Sequence, residues 1–371
     1  MSNIFSSVYR LGFGAMRLPT VNGDPLKIDY PQGQEMISYA LQNGINYFDT
    51  AYVYHGGESE KFLGSSLPKN TRSKYFIATK LPVSQVESIV DADRIFHEQL
   101  TRLQTDYIDF YLLHNLNSSA WTKVLSLDLI SWAKKLKSQG LIKHLGFSMH
   151  DSYQVFETIL NYHPWDFCQI QYNYLDVDYQ AGQKGLKLAA SKEIPVVVME
   201  PLRGGLLAFS DCPPAISKVI SQFPGSPCSL DIAFSWLYNQ PEVSLVLSGM
   251  STLNQLKQNI PLASKTLPGS LSTSFLDLVS QLKSAVNLPV PCTYCRYCSD
   301  CPQKINIPNV LNWINQAAYS GPTPFHQKMY SQIPPGQRPS DCLGCGLCER
   351  ACPQKISIRK WLSESQKLFG L

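Results

Sequence analysis

Eight of the eleven cysteines in this chain fall between residues 292 and 352. They form two runs. One is Cys292-x2-Cys295-x2-Cys298-x2-Cys301-Pro302, the other Cys342-x2-Cys345-x2-Cys348-x3-Cys352-Pro353. Clustered thiols make either disulfides or metal ligands. The N-terminus, MSNIFSSVYRLGFGAM, has no basic segment followed by an apolar one, so no secretory signal is expected. A reducing, cytoplasmic setting then favours metal over disulfides. Two CxxC pairs could make a tetrahedral zinc site with four thiolate ligands. Eight thiolates with a trailing Cys-Pro in both halves fit iron–sulfur chemistry better, and two [4Fe–4S] clusters are expected. Cys168, Cys212 and Cys228 lie apart from both runs and read as core or loop thiols.

A second set of residues could move protons. Asp49, Tyr54, Lys80 and His114 are spread over the first third of the chain. Their meaning depends on what positions them. Up to about residue 260 the chain alternates short apolar runs with amphipathic stretches. Eight strands are expected, at 11–16, 46–49, 75–79, 107–113, 143–147, 167–171, 196–199 and 244–247. Several are continuous apolar runs, as strands buried on both faces should be. Between them helices are expected at 33–42, 84–103 (with Ser84 as N-cap), 125–138 and 179–191. This alternation predicts a (β/α)8 barrel of the α/β class. An open doubly wound sheet fits less well, because no Gly-x-Gly-x-x-Gly follows the first strand. The expected domains are a barrel over 1–267, a helical linker over 268–290 and a small, mainly α-helical iron–sulfur domain over 291–371, with helices at 308–319 and 357–369.

In such a barrel the active site lies at the C-terminal ends of the strands. Asp49, Lys80 and His114 end the second, third and fourth strands, and Tyr54 follows in the loop. Each alone has an ordinary structural explanation; together, at successive strand ends, they form a site. Phe48-Asp49-Thr50-Ala51, Tyr54, Gly57-Glu58-Ser59-Glu60, Thr79-Lys80 and Leu112-Leu113-His114 resemble the ordered motifs of the aldo/keto reductases over roughly residues 9–262. The resemblance implies a nicotinamide cofactor, NADP(H) or NAD(H), and no catalytic metal in the barrel. Reducing a carbonyl needs hydride at carbon and a proton at oxygen. Tyr54 would give the proton. A free tyrosine, with pKa about 10, is a poor donor near neutrality, and a neighbouring ammonium lowers that value. Asp49 would orient Lys80, and His114 would hydrogen-bond the carbonyl oxygen.

The resemblance also implies cofactor contacts. Ser148 and Gln169 would bind the nicotinamide carboxamide, with Met149 where the family commonly has Asn. Tyr172 is a candidate for stacking on the nicotinamide ring, or else a core aromatic. Pro201-Leu202-Arg203-Gly204-Gly205 resembles the loop over the pyrophosphate. Ser248, Gly249 and Ser251, with Gln255 and Asn259 on the following helix, match the phosphate and adenosine site. Lys257 is the only cation between Ser248 and Asn259. The second cysteine run has bacterial ferredoxin spacing, in which three cysteines hold one cubane and the one before Pro holds the other. The first run departs by one residue in its last spacing. The separation of the two runs resembles the all-helical ferredoxin-like domains fused to several oxidoreductases.

Composition excludes other classes. The chain has 371 residues, 44% hydrophobic and 16% charged, with a formal charge of +4. That is globular, and too weakly basic to argue for nucleic acid or an anionic membrane. No run approaches the ~18 apolar residues of a transmembrane helix. The leading expectation is an NAD(P)H-dependent reductase of a small-molecule aldehyde, ketone or quinone. One alternative is an electron-transfer protein passing electrons between NAD(P)H and a carrier protein. The other is a regulatory subunit that senses redox state. Nicotinamide moves two electrons as hydride and iron–sulfur clusters move one at a time. A quinone-like substrate or a partner would reconcile them.

Overall fold

The computed structural model describes residues 4–209, 212–286, 288–320 and 323–369, with the backbone alone at 319 and 320. The chain divides into two compact units. The first runs to Pro201 and resumes at Phe234–Leu271; the second comprises Leu202–Ala233 and the chain from Ser272 onward.

The first unit contains a closed, all-parallel barrel in the order of the sequence. Its strands are β1 (Leu11–Gly14), β2 (Tyr47–Asp49), β3 (Phe76–Leu81), β4 (Ile108–Leu116), β5 (Ile142–Met149), β6 (Phe167–Gln171), β7 (Val196–Met199) and β8 (Val243–Ser248). β8 returns to β1 through Leu11↔Val246 and Gly12↔Leu247. Each of the eight expected strands is present; β4 and β5 extend beyond the apolar runs because their polar ends are still paired.

The lower barrel is filled by Phe5, Tyr47, Ala78, Phe110, Leu112, Phe167, Val197, Leu245 and Leu247, all buried. Side chains alternate along a strand, so the residue two further on returns to the same face. Two positions after Tyr47, Ala78, Leu112, Gly146 and Phe167 come Asp49, Lys80, His114, Ser148 and Gln169. The apolar layer below and the polar layer above are therefore one pattern, read upward along the strands.

The helix expected at 33–42 begins at Tyr30 and the one expected at 179–191 begins at Gly182, and two further helices differ from expectation for a visible reason. The third-strand helix is Ile89–Leu103, capped by Ser88 and not Ser84. Val83–Gln85 forms a separate 3-10 turn and Val86 is extended, so the helix starts only where the Ser88 side chain accepts from the Asp91 N–H. The region of the 125–138 helix holds the end of Ser118–Ser126 and then Leu129–Ser138, separated by Asp128 at φ 50. A left-handed residue there breaks the ladder.

The second unit is helical among its described residues. It includes Pro214–Ser221, Thr273–Ala285, Ile307–Ser320, Pro324–Ser331, Leu347–Ala351 and Ile358–Phe369. A small core gathers Val290, Ile305, Ile307, Val310, Leu311, Ile314, Ile356, Ile358 and Leu362. The fully buried Asn315 side chain pairs with both backbone groups of Val290, at 3.0 and 2.9 Å, fixing the chain just before Cys292. At Gly204, φ is +72° and an added Cβ would meet the Thr293 carbonyl oxygen at 2.2 Å, so only glycine lets the Arg203–Gly205 turn approach that segment.

Candidate active site and cysteine centre

At the upper end of the barrel, Lys80 Nζ lies 2.7 Å from Asp49 Oδ1 and 2.6 Å from the Thr50 carbonyl. Lys80 is wholly buried and Asp49 nearly so. Burial pushes the Lys80 ammonium below its ordinary value, and Asp49 opposes that shift. Burial likewise raises Asp49, against the pull of Lys80. Each charge therefore depends on the other being present.

Tyr54 lies in the 3-10 turn Tyr54–Gly57, whose His55 and Gly56 have positive φ. This tight turn brings the ring over the barrel mouth. Lys80 Nζ is 5.0 Å from the ring centroid, and the His114 ring meets it edge-on at 5.9 Å. Burial, then Lys80, then His150 hold the His114 pKa well below its ordinary value, so the ring is neutral. The four expected residues Asp49, Tyr54, Lys80 and His114 thus converge.

Behind them is a network that sequence reading did not identify. Glu60 Oε1 accepts from Thr79 Oγ1 at 2.6 Å and from Gln99 Nε2 at 2.8 Å, and its Oε2 pairs with Arg102 at 3.2 Å. Gln99 also donates to the Lys80 carbonyl at 3.0 Å. Ser59 joins Thr50 at 2.8 Å and the Ala15 carbonyl at 2.9 Å. These bonds fix the backbone on either side of Asp49 and Lys80. Ser59 and Glu60 were visible in a motif; Gln99 and Arg102 sit on an amphipathic helix, where nothing marks them.

The expected cofactor residues of the first unit lie along the same strand ends. Ser148 Oγ accepts from the Asn115 N–H at 2.9 Å. Gln169 Nε2 contacts Met199 Sδ at 3.4 Å, while its Oε1 is buried without a hydrogen-bond partner among the described residues. A carboxamide N–H2 is the kind of donor that oxygen lacks, so these residues fit a nicotinamide. Tyr172 is fully buried against Trp236, with ring centroids 5.1 Å apart, and its hydroxyl also has no hydrogen-bond partner among the described residues. Ser248 Oγ accepts from Asn259 Nδ2 at 3.0 Å. Ser251 donates to the Arg17 carbonyl at 2.8 Å, and its N–H donates to Gln255. Arg17 was not foreseen. Its side chain runs beside Gly249, where an added Cβ would lie 2.9 Å from Cδ, and its guanidinium pairs with Glu200 at 3.7 Å. Lys257 lies over the Tyr39 ring, 5.4 Å from its centroid. Pro201 ends the first segment of the barrel unit; Leu202, Arg203 and Gly204 belong to the second unit, where Arg203 is buried at φ 47.

In the second unit the cysteines group across the two runs. Burial and the nearby Cys295, Cys292 and Cys352 thiols all raise the Cys298 pKa. Burial, Glu349, Cys342 and Cys301 raise Cys348. A cavity is lined by Cys301, Cys342, Cys345 and Cys348, with Gly346 and Arg359. The fourth cysteine of each run therefore stands with the first three of the other. The cavity with four thiols fits a cubane, the donor set that soft iron–sulfur centres use. Among the described residues, no three His, Cys, Asp or Glu side chains are grouped to hold a single ion. Arg359 clamps the second loop, donating to Glu349 at 2.9 Å and to the Gly344 carbonyl at 3.3 Å. Arg350 donates to the Cys345 carbonyl at 3.3 Å.

Comparison with known proteins finds a family model for each of two stretches of the chain. Residues 10–271 match the model of the aldo/keto reductase family, and residues 291–357 match a 4Fe-4S dicluster domain. The chain is 28% identical to L-galactose dehydrogenase of Arabidopsis thaliana over 70% of its own length and 86% of that protein. It is 25% identical to NADH-specific methylglyoxal reductase of Escherichia coli, over 74% and 95%. An aldo-keto reductase from Bacillus halodurans, solved in its holo form, matches with TM-score 0.62 at 25% identity, over 74% of this chain and 91% of that one.

Proposed function

This chain belongs to the aldo/keto reductase family of NAD(P)H-dependent oxidoreductases, and we propose that it reduces a small aldehyde or ketone to an alcohol, or a quinone to a hydroquinone. The observation that carries the reading is the buried Lys80–Asp49 pair beneath the Tyr54 ring, with His114 at its edge. A bound nicotinamide supplies the hydride to carbon. Tyr54 gives its phenolic proton to the carbonyl oxygen. The Lys80 ammonium steadies the phenolate that is left, and counts for more in a dry site than in water. Asp49 keeps that ammonium charged. His114, neutral, can donate a hydrogen bond to the carbonyl oxygen without competing as an acid.

Ser148 and Gln169 would hold the carboxamide, with Tyr172 beneath them. Ser248, Gly249, Ser251, Gln255 and Asn259 would receive the phosphate and adenosine end, and Arg17 beside Gly249 is the cation best placed to favour NADP over NAD. Pro201, Leu202, Arg203 and Gly204 enter by resemblance to the pyrophosphate loop. Arg203→Gln should raise the nucleotide Kd.

Two [4Fe–4S] clusters would bind, one to Cys292, Cys295, Cys298 and Cys352, the other to Cys301, Cys342, Cys345 and Cys348. They would complete the small core against which these side chains pack. We place the protein in the reducing cytoplasm on the same thiols; among the described residues, no helix is long and apolar enough to cross a membrane.

Anaerobically purified protein tests this directly. The expected result is iron and sulfide in cubane ratio, and oxidation of NADPH or NADH by aldehydes, ketones or quinones. Absent turnover with every carbonyl, together with bleaching of the clusters by NADPH, would replace this reading with electron transfer to an external carrier.

A further inference from the structure

Of the four converging residues, Asp49, Lys80 and His114 stand on strands, and Tyr54 alone stands on a turn beyond one. Something must hold that turn. The residue after Tyr54 is His55, at φ 52 and ψ 37. This is left-handed backbone, where glycine is at ease and a side chain is strained. Gly56 and Gly57 follow in the same region. A third glycine would suit the turn, yet the chain presents an imidazole there.

That ring reaches a second loop. His55 Nδ1 lies 2.7 Å from the Pro25 carbonyl oxygen. A carbonyl oxygen only accepts, so Nδ1 carries a proton and donates, in the neutral ring and in the cation alike. Pro25 lies at the tip of a strap between β1 and the first helix. The strap is closed at its base by the antiparallel bridge Thr20↔Ile28 and by the Val21 N–H, which donates to the Lys27 carbonyl at 2.8 Å. At the tip, Asp24 Oδ1 accepts from the Leu26 N–H at 3.0 Å. The peptide joining Pro25 to Leu26 is therefore fixed from both sides, its N–H by Asp24 and its carbonyl by His55. A Cβ added to Gly56 would lie 2.9 Å from Leu26 Cδ2, so the tip rests directly on the Tyr54 turn. Leu26 is itself 60% exposed. Little apolar burial fastens the tip there, and the hydrogen bond supplies direction.

We propose that His55 is a positioning residue for the general acid: by donating to Pro25 it ties the Tyr54 turn to the 19–29 strap and sets where the Tyr54 hydroxyl stands over the barrel mouth. The inference rests on the carbonyl-reductase reading and adds to it a residue that acts through another.

The test uses two substitutions that both suit left-handed backbone, so strain is not the variable. His55→Asn carries its amide N–H2 as many bonds from the backbone as Nδ1; His55→Gly has no donor. With full-length, cluster-loaded protein, kcat is measured for the fastest-reduced member of a panel of aldehydes, ketones and quinones, 4-nitrobenzaldehyde among them. His55→Gly should lower kcat about 10-fold or more, as a misplaced reacting group does. His55→Asn should stay within ~3-fold of wild type, because the donor is kept. The Kd for NADPH or NADH should not change in either. Asp24→Ala frees the other side of the same peptide without touching the turn. It should lower kcat in the wild-type background and add little to His55→Gly, since the two act as a unit.

The inference is overturned by a His55→Gly kcat equal to wild type, by His55→Asn falling as far as His55→Gly, or by a fully additive Asp24→Ala. A loss of kcat matched by an equal weakening of nucleotide binding overturns it as well, since that is general loosening of the barrel mouth. Each of these results leaves the reductase reading standing. Absence of turnover by wild-type protein across the whole panel overturns that reading and the inference with it.

Discussion

The barrel and the cysteine-bearing region hold their polar groups in opposite ways. In the barrel, three buried charged side chains have partners in the polypeptide. Lys80 has Asp49 and the Thr50 carbonyl; Glu60 has Thr79, Gln99 and Arg102; Asp109 has Arg72, Lys143 and the Ile77 N–H. In the second unit, Cys292, Cys298, Cys301, Cys342, Cys348 and Cys352 pack against a small apolar core. Arg359 and Asn315 fix the loops that carry the thiols, but the thiols themselves call for a bound centre. A preformed site can wait for its cofactor. A site whose ligands are part of the core couples binding to folding.

Removing the clusters should therefore have the largest effect. Chelation under reducing conditions should abolish hydrogen-exchange protection in Ile307–Ser320 and Ile358–Phe369 while β1–β8 stay protected. Uniform protection after complete iron loss would erase the contrast. Next in size is Lys80→Ala, which leaves Asp49 buried without its counter-ion. A loss of about 3–5 kcal/mol is typical of such a change, a fall of roughly 10 °C in the barrel's Tm, with the cluster spectrum unaltered.

His150 gives a smaller effect that depends on pH. Its pKa is about 4 in the folded protein, below the value of roughly 6.5 expected when unfolded. Between those values the unfolded state binds the extra proton. Stability should be unaffected above about pH 6.5 and fall by up to about 3 kcal/mol as pH drops toward 4. His114 acts in the same direction. His150→Phe should flatten part of the slope in denaturant titrations across that range. The smallest effect separates two serines. Ser88→Ala should cost about 1 kcal/mol, since Ser88 caps the helix, and Ser84→Ala much less.

Those two serines also mark where sequence reading stops. Strands buried on both faces are continuous apolar runs, so all eight were legible, and with them the strand ends that carry Asp49, Lys80 and His114. Ser84 and Ser88 are equally good caps locally; the 3-10 turn Val83–Gln85 decides between them. Gln99, Arg102 and Arg17 matter through tertiary contacts and follow no spacing. For the cysteines, the ferredoxin spacing leads to the expectation that Cys352 serves the first run, and its thiol stands near Cys298. The shortened first run hid the matching place of Cys301 beside Cys342 and Cys348, which only the folded chain reveals.

On the proposed function, carbonyl chemistry belongs to the preformed barrel site. Steady-state carbonyl turnover by cluster-loaded Tyr54→Phe tests it most directly. A fall of at least ~100-fold is expected, the scale of a lost general acid, with iron and sulfide content unchanged. Turnover within a few-fold of wild type would contradict it.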